Sequence, residues 1–165
     1  MAQLAKTRNT LGENARLASV GLLNAALADL MDLSNAVKMA HWNVKGPQFA
    51  ALHLLFEGFY TQLAAAVDDT AERVVQLGGT AAGTTQQVGA ATRLAPYPAD
   101  LKDGIEHVKA LAERYGALAT TSRAAIDTAD EAGDADTADL FTATSRMLDK
   151  ALWMLEAHLP ADKSP

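Results

Sequence analysis

The sequence predicts an all-α fold: four long helices, with one long crossover joining the second to the third. Three observations carry this expectation. Apolar residues recur at helical spacing through four separate stretches. Short breaks separate the first helix from the second, at Lys45-Gly46-Pro47, and the third from the fourth, at an acidic run broken by Gly133. Between the second and third lies a Gly-, Thr-, Ala- and Pro-rich segment, TAAGTTQQVGAATRLAPYPAD, longer than a simple helical turn needs. With 165 residues, 49% of them hydrophobic, the chain suits one domain spanning 1–165 with a real core.

Residues 1–10 read as a short tail in which only Lys6 and Arg8 are basic. From about Asn14 to Asn43 the pattern is helical, with Val20, Leu23, Leu27 and Leu30 at 3-4-3 spacing and Val37 extending the stripe. Lys45-Gly46-Pro47 ends it, because Gly suits a helix C-terminus and Pro the first turn of the next helix. So short a break makes the two helices antiparallel neighbours. The second helix runs from Phe49 to Leu77 and stops at Gly78-Gly79. The connector that follows either travels back along the bundle, with a short helix near 84–89, or serves as a flexible linker; Val88, Leu94 and Tyr97 give it something to bury. A third helix is expected from about Pro98 past Arg123, with Ile105, Val108, Ala112 and Tyr115 as its stripe. The acidic run DTADEAGDADTAD breaks at Gly133, and Asp134 suits the N-cap of a fourth helix whose first turns carry Asp136 and Asp139. Phe141, Leu148, Leu152, Leu155 and Leu159 would face the core, and 160–165 form a short polar tail.

Composition excludes several classes. Without cysteine there are no disulfides or thiolate sites, so any metal must be held by nitrogen and oxygen. That favours iron or manganese, with zinc admissible. The first residues lack the apolar core of a signal peptide, and no uninterrupted apolar run is long enough for a membrane span. A cytoplasmic protein with no membrane partner is expected. A net charge of −6 argues against a general polyanion binder.

The chemistry concentrates on the second helix. His53 and Glu57 are four apart, and so are Asp68 and Glu72, a spacing that stacks side chains on one face. With His53 at 0°, Glu57 falls near ~40°, Asp68 near ~60° and Glu72 near ~100°, so all four share one side of the rod. They cannot share a site within one chain, since Glu57 and Asp68 are roughly 16 Å apart along the axis. The two pairs are, however, symmetric about a midpoint between Gln62 and Leu63. A twofold axis there would bring His53 and Glu57 of one chain opposite Glu72 and Asp68 of another. Thr61, Ala64 and Ala65 near that pivot are small enough for two helices to approach closely. The pattern reads as a metal site shared by a dimer, with His41 and Trp42 just upstream.

Four long helices with one crossover describe a ferritin-like bundle. A site inside such a bundle would need Glu-x-x-His motifs, and there are none: Lys38, Ala50, Gly104 and Leu155 stand three residues before the four histidines. The run from His41 to Gly79 resembles the Dps mini-ferritins (DNA-protection proteins of starved cells). HWNVKGPQF, the His53/Glu57 pair, DDTAERVVQLGG and TSRMLDKALWMLE all look like family sequence, and the likeness extends over most of the chain.

The resemblance implies a homododecamer that binds Fe(II), oxidises it with hydrogen peroxide and stores ferric mineral in its hollow interior. It implies a ferroxidase site shared across a twofold axis, with His41, His53 and Glu57 from one chain and Asp68 and Glu72 from the other. Trp42 stands where the family places a tryptophan beside the iron, either to intercept stray oxidising equivalents or simply to pack. Asp136 and Asp139 would line a threefold pore admitting Fe(II), where a ring of carboxylates concentrates cations. Glu57 departs from the pattern, because the family more commonly has Asp there. His107 and His158 read as surface histidines on the third helix and near the C-terminus.

The rival expectation is a structural protein that binds and compacts DNA. DNA-binding members of the family typically carry a longer, lysine-rich tail. Twelve chains at −6 each would total about −72, which repels DNA, so binding is expected to be weak.

Overall fold

A computed structural model describes residues 4–160. It contains α1 (Glu13–Asn43), α2 (Phe49–Gln76), a short α3 (Thr85–Ala91), α4 (Gly104–Glu131) and α5 (Ala135–Glu156). Two helical hairpins, α1/α2 and α4/α5, pack together through α1 on α4 and α2 on α5, while α3 lies against α1. The described residues contain no strand, only one isolated bridge between Lys45 and Asp103.

The expected stripe of α1 is the buried one: Val20, Leu23, Leu27, Leu30 and Val37 are all inside. By length and hydropathy α1 could cross a bilayer, but 56% of its most apolar window is buried in the bundle. The helix packs its apolar side onto α2 and α4. On α2, Leu52, Phe56, Phe59 and Leu63 are buried and meet Tyr115 and Leu118 of α4 and Leu148 and Leu155 of α5. Each such side chain contributes roughly 1.5–3 kcal/mol when fully buried. A second cluster at the opposite end joins Val20, Leu23, Val74, Leu77 and Phe141.

Helix ends follow local chemistry. Leu77 caps α2, and Gly78 turns the chain at φ +86, a left-handed conformation that favours glycine. Thr84 and Gln87 form a capping box that starts α3. Asp134 accepts a hydrogen bond from the Thr137 N–H at the start of α5, as expected.

The third long helix begins at Gly104 rather than near Pro98. The Asp103 carboxylate accepts from the Ile105 and Glu106 amides, and the Lys45 amide donates to the Lys102 carbonyl at 2.8 Å, so the preceding strand-like stretch is already committed. The stripe of α4 is also rotated: Val108, Leu111, Tyr115 and Leu118 are buried, while Ile105 and Ala112 sit half-buried at its edge.

The connector runs back along α1. Asn24 donates to the Thr80 carbonyl and accepts from the Ala82 amide, and buried Asp29 accepts from the Arg93 amide and guanidinium. The N-terminal segment is docked as well. The Ala5 amide donates to the Gly78 carbonyl at 2.8 Å, and Leu4 and Leu11 pack on the second cluster. The first three residues of the expected 1–10 tail, and 161–165 of the C-terminal one, lie outside the described residues.

Candidate metal centre

Three predicted ligands come together where the end of α1 meets the start of α2. The His41 and His53 rings stack with centroids 3.7 Å apart. Each ring bonds the other residue's backbone: His41 Nδ1 to the His53 carbonyl and His53 Nδ1 to the His41 carbonyl, both at 2.9 Å. A carbonyl only accepts, so both Nδ1 atoms carry the proton. In the neutral rings both Nε2 atoms therefore keep a lone pair, the state a metal requires. His41 Nε2 lies 3.4 Å from Glu57 Oε2. Two imidazole nitrogens and a carboxylate are nitrogen and oxygen donors of the kind that could hold iron.

Sequence reasoning missed Lys38. It sits one turn before His41 on α1, its ammonium pairs with Glu57 Oε2, and it rests 4.6 Å above the Tyr60 ring. The Lys38 hydrogen bond is the largest influence holding the Glu57 carboxyl below its usual range, and the charges of Lys38, His41 and His53 add to it. Lysine spacing on α1 could not reveal this, because the contact exists only once α1 and α2 pair.

Asp68 and Glu72 lie farther along α2, both exposed. Among the described residues no hydrogen bond or ion pair holds either, and no group of three or more His, Asp or Glu side chains is placed to hold a metal ion within one chain. The half-site and the two carboxylates remain separated along one helix, as the spacing argument requires. Their shared face also carries exposed Leu54 and Val75.

The far end of α2 is anchored by a residue that sequence reasoning also missed, Arg73. Its guanidinium pairs with buried Asp134 at 2.7 Å and donates to Thr137 Oγ1 at 3.0 Å, tying the turn that holds Glu72 to the start of α5. Asp136 and Asp139 are exposed on that first part of α5, with Asp136 3.7 Å from Arg73. Trp42 is 70% exposed, next to His41 in the chain.

Two histidine expectations are corrected. His107 is fully buried and bonded to Tyr97, because the connector covers that side of α4. His158 is half-buried, with Nδ1 2.7 Å from the Met154 carbonyl one turn earlier.

A bundle of four long helices with one long crossover between the second and third is a ferritin-like fold. Residues 20–163 match the family model of the ferritin-like domain. The chain is 54% identical to the DNA protection during starvation protein of Agrobacterium fabrum, over 93% of this chain and 95% of that one. Among solved structures it is similar to DpsC from Streptomyces coelicolor, with TM-score 0.93, 28% identity and 99% and 95% of the two chains covered. It is also similar to a Dps protein from Vibrio cholerae O1, described as a member of the ferritin-like diiron-carboxylate superfamily, with TM-score 0.88, 28% identity and 96% and 100% coverage. This chain belongs to the Dps family.

Proposed function

We propose that this protein is a ferroxidase and iron store that oxidises Fe(II) at sites shared between pairs of chains. His41, His53 and Glu57 of one copy would bind the substrate iron together with Asp68 and Glu72 of another. The observation that carries this reading is the reciprocal Nδ1–carbonyl clamp on the two stacked histidines, which leaves the Nε2 lone pairs of the neutral rings available, that of His41 beside the Glu57 carboxylate. The complementary carboxylates stand unpaired on the same helix face, with exposed Leu54 and Val75 to be covered by a partner. Hydrogen peroxide is the proposed oxidant, a hollow homododecamer in the cytoplasm the proposed store, and Asp136 and Asp139 the proposed lining of the iron pore.

DNA compaction is the less favoured reading. Lys6 and Arg8 belong to a segment pinned across the end of α2 by Ala5, Leu4 and Leu11, so they do not form a free basic arm. With net charge −6, duplex DNA is expected to run unretarded in a gel shift at near-physiological salt.

Subunit complementation tests the shared site. His53→Ala and Asp68→Ala, assembled separately, should each lose most ferroxidase activity. When the two are dissociated and reassembled together, half the dimers are mixed and each mixed dimer has one intact site of two, so roughly a quarter of wild-type activity should return. Sites built within one chain would show no recovery, and that result, with mixing verified by mass spectrometry, would end the proposal.

A further inference from the structure

Half-buried Tyr97 and buried His107 form a pair outside the proposed iron ligands, and its chemistry differs from that of the other two tyrosines. Tyr97 sits on the connector with its hydroxyl 2.6 Å from His107 Nδ1 and the two rings nearly parallel, 12° between planes. The phenol is the better donor, so Tyr97 donates and Nδ1 accepts. His107 then carries its ring proton on Nε2, toward the Leu101 backbone, although too loosely for a well-formed hydrogen bond. Burial depresses the basicity of His107, which keeps the ring neutral and its Nδ1 lone pair available. Burial likewise pushes the Tyr97 hydroxyl well above its ordinary value, so the phenol is protonated at rest.

Arg114 fixes this arrangement. Its guanidinium donates to the Ala110 carbonyl at 2.8 Å, to the Ala95 carbonyl at 2.8 Å and to the Pro96 carbonyl, and its carbon lies 4.8 Å from the Tyr97 ring centroid. The connector residues leading into Tyr97 are therefore held by a buried cation on α4.

By contrast, Tyr115 is buried with its hydroxyl unpartnered. Tyr60 lies under the Lys38 ammonium, with no base bonded to its hydroxyl among the described residues. Of the three tyrosines, only Tyr97 has a neutral base waiting for its proton.

The pair also sits at the metal end of the bundle. His107 is one turn after Gly104, and a Cβ at Gly104 would meet the buried Leu52 side chain at 2.6 Å, so the start of α4 lies against the core residue that precedes His53 in the chain. The Lys45–Lys102 backbone bond joins the same end to the loop after His41.

We propose that Tyr97 and His107 form a proton-coupled one-electron donor to oxidants generated at the neighbouring iron site, an inference that rests on the ferroxidase reading above. The electron leaves Tyr97 for a peroxide-derived oxidant of the hydroxyl-radical class, which is reduced to hydroxide. The phenolic proton moves to His107 Nδ1, leaving a neutral tyrosyl radical beside an imidazolium. A further Fe(II) then supplies an electron, the proton returns to the phenolate oxygen, and the products are Fe(III), tyrosine and neutral histidine. The Arg114 charge above the ring disfavours removal of an electron, so only strong oxidants draw on the pair.

Electron paramagnetic resonance on two freeze-quenched arms tests this, with Tyr97→Phe and His107→Gln as variants. Phe keeps the ring beneath Arg114, and Gln keeps an acceptor for the phenol but offers no base. Helix content and assembled size serve as folding controls. In the first arm, metal-free protein is oxidised by photogenerated tris(bipyridine)ruthenium(III) with persulfate as electron acceptor. A tyrosyl signal should form in wild type, vanish in Tyr97→Phe and form on the order of 10²-fold more slowly in His107→Gln, the share that a positioned base contributes. An undiminished signal in Tyr97→Phe, or an unchanged rate in His107→Gln, would overturn the assignment.

In the second arm, Fe(II) and then hydrogen peroxide are added, and the same Tyr97-dependent signal is expected. Oxidation of iron without that signal would overturn the link to the iron site. Failure of iron to oxidise at all would sink the ferroxidase reading instead, a distinguishable result because the ruthenium arm needs no iron.

Discussion

The two ends of α2 carry the same kind of spacing and receive opposite treatment from the fold. At the N-terminal end, His53 and Glu57 are set before any metal arrives. Backbone carbonyls fix both imidazoles, a stacked partner limits their rotation, and Lys38 holds the carboxylate. At the other end, Asp68 and Glu72 project into solvent, and the structure steadies only the backbone beneath them, through Arg73 and Asp134. Folding therefore completes one half of the proposed site, and the other half is left for assembly to bring into place. On the proposed reading, tight metal binding would require the assembled protein.

The comparison breaks most sharply at Asp134. Asp134→Ala leaves the buried Arg73 guanidinium with only Thr137, Gln76 and the exposed Asp136 as partners, which costs about 3 kcal/mol. Denaturant unfolding should report that loss. Hydrogen exchange should rise in the last turns of α2 and the first of α5, while the His53–Glu57 turn keeps its protection. Equal loosening of both ends would mean that the two halves are not independently supported.

Acid should loosen the same end. Desolvation raises the Asp134 carboxyl, but hydrogen bonds from Thr137 and Arg73 outweigh it, and the net shift is below the ordinary value of 3.8. A folded-state pKa below the unfolded one contributes stability that is complete above the unfolded value and disappears as pH falls through the folded one. Wild type should exceed Asp134→Asn in unfolding free energy at neutral pH, and the gap should close below about pH 3.8. A gap that persists unchanged into that range would show that the carboxylate charge is not what matters there.

Smaller effects separate the ligands themselves. His53→Ala removes the Nδ1 bond to the His41 carbonyl and should cost about 1 kcal/mol of stability. Asp68→Ala removes an exposed side chain without partners and should stay within about 0.5 kcal/mol of wild type. Matching losses in unfolding experiments would contradict the contrast between a set half and an open half.

The finest test is Lys38→Met, which frees Glu57 from a solvent-screened ion pair. Redox-inert Co(II) should then bind modestly more tightly by calorimetric titration, since no ammonium has to be displaced. Weaker binding would mean that Lys38 orients the carboxylate more than it competes for it.

Much of this molecule was legible in the chain because it depends on local periodicity. Four long helices follow from apolar spacing, and the breaks at Gly46, Gly78 and Gly133 are all left-handed turns, with φ of +109, +86 and +83. The common face of His53, Glu57, Asp68 and Glu72, and the impossibility of joining them within one chain, need only the rise and twist of a helix. What the tertiary structure alone decided are contacts between residues distant in sequence. Lys38 reaches Glu57 across a helical hairpin, Arg73 meets Asp134 sixty-one positions away, and the N-terminal segment docks on Gly78. Although Leu111 stands one turn away on its own helix face, His107 was expected on the surface. It is buried because a connector whose route no periodic pattern encodes lays Tyr97 over it. A sequence shows which side of a helix a residue occupies, but which other segment covers that side is settled only when the whole chain packs.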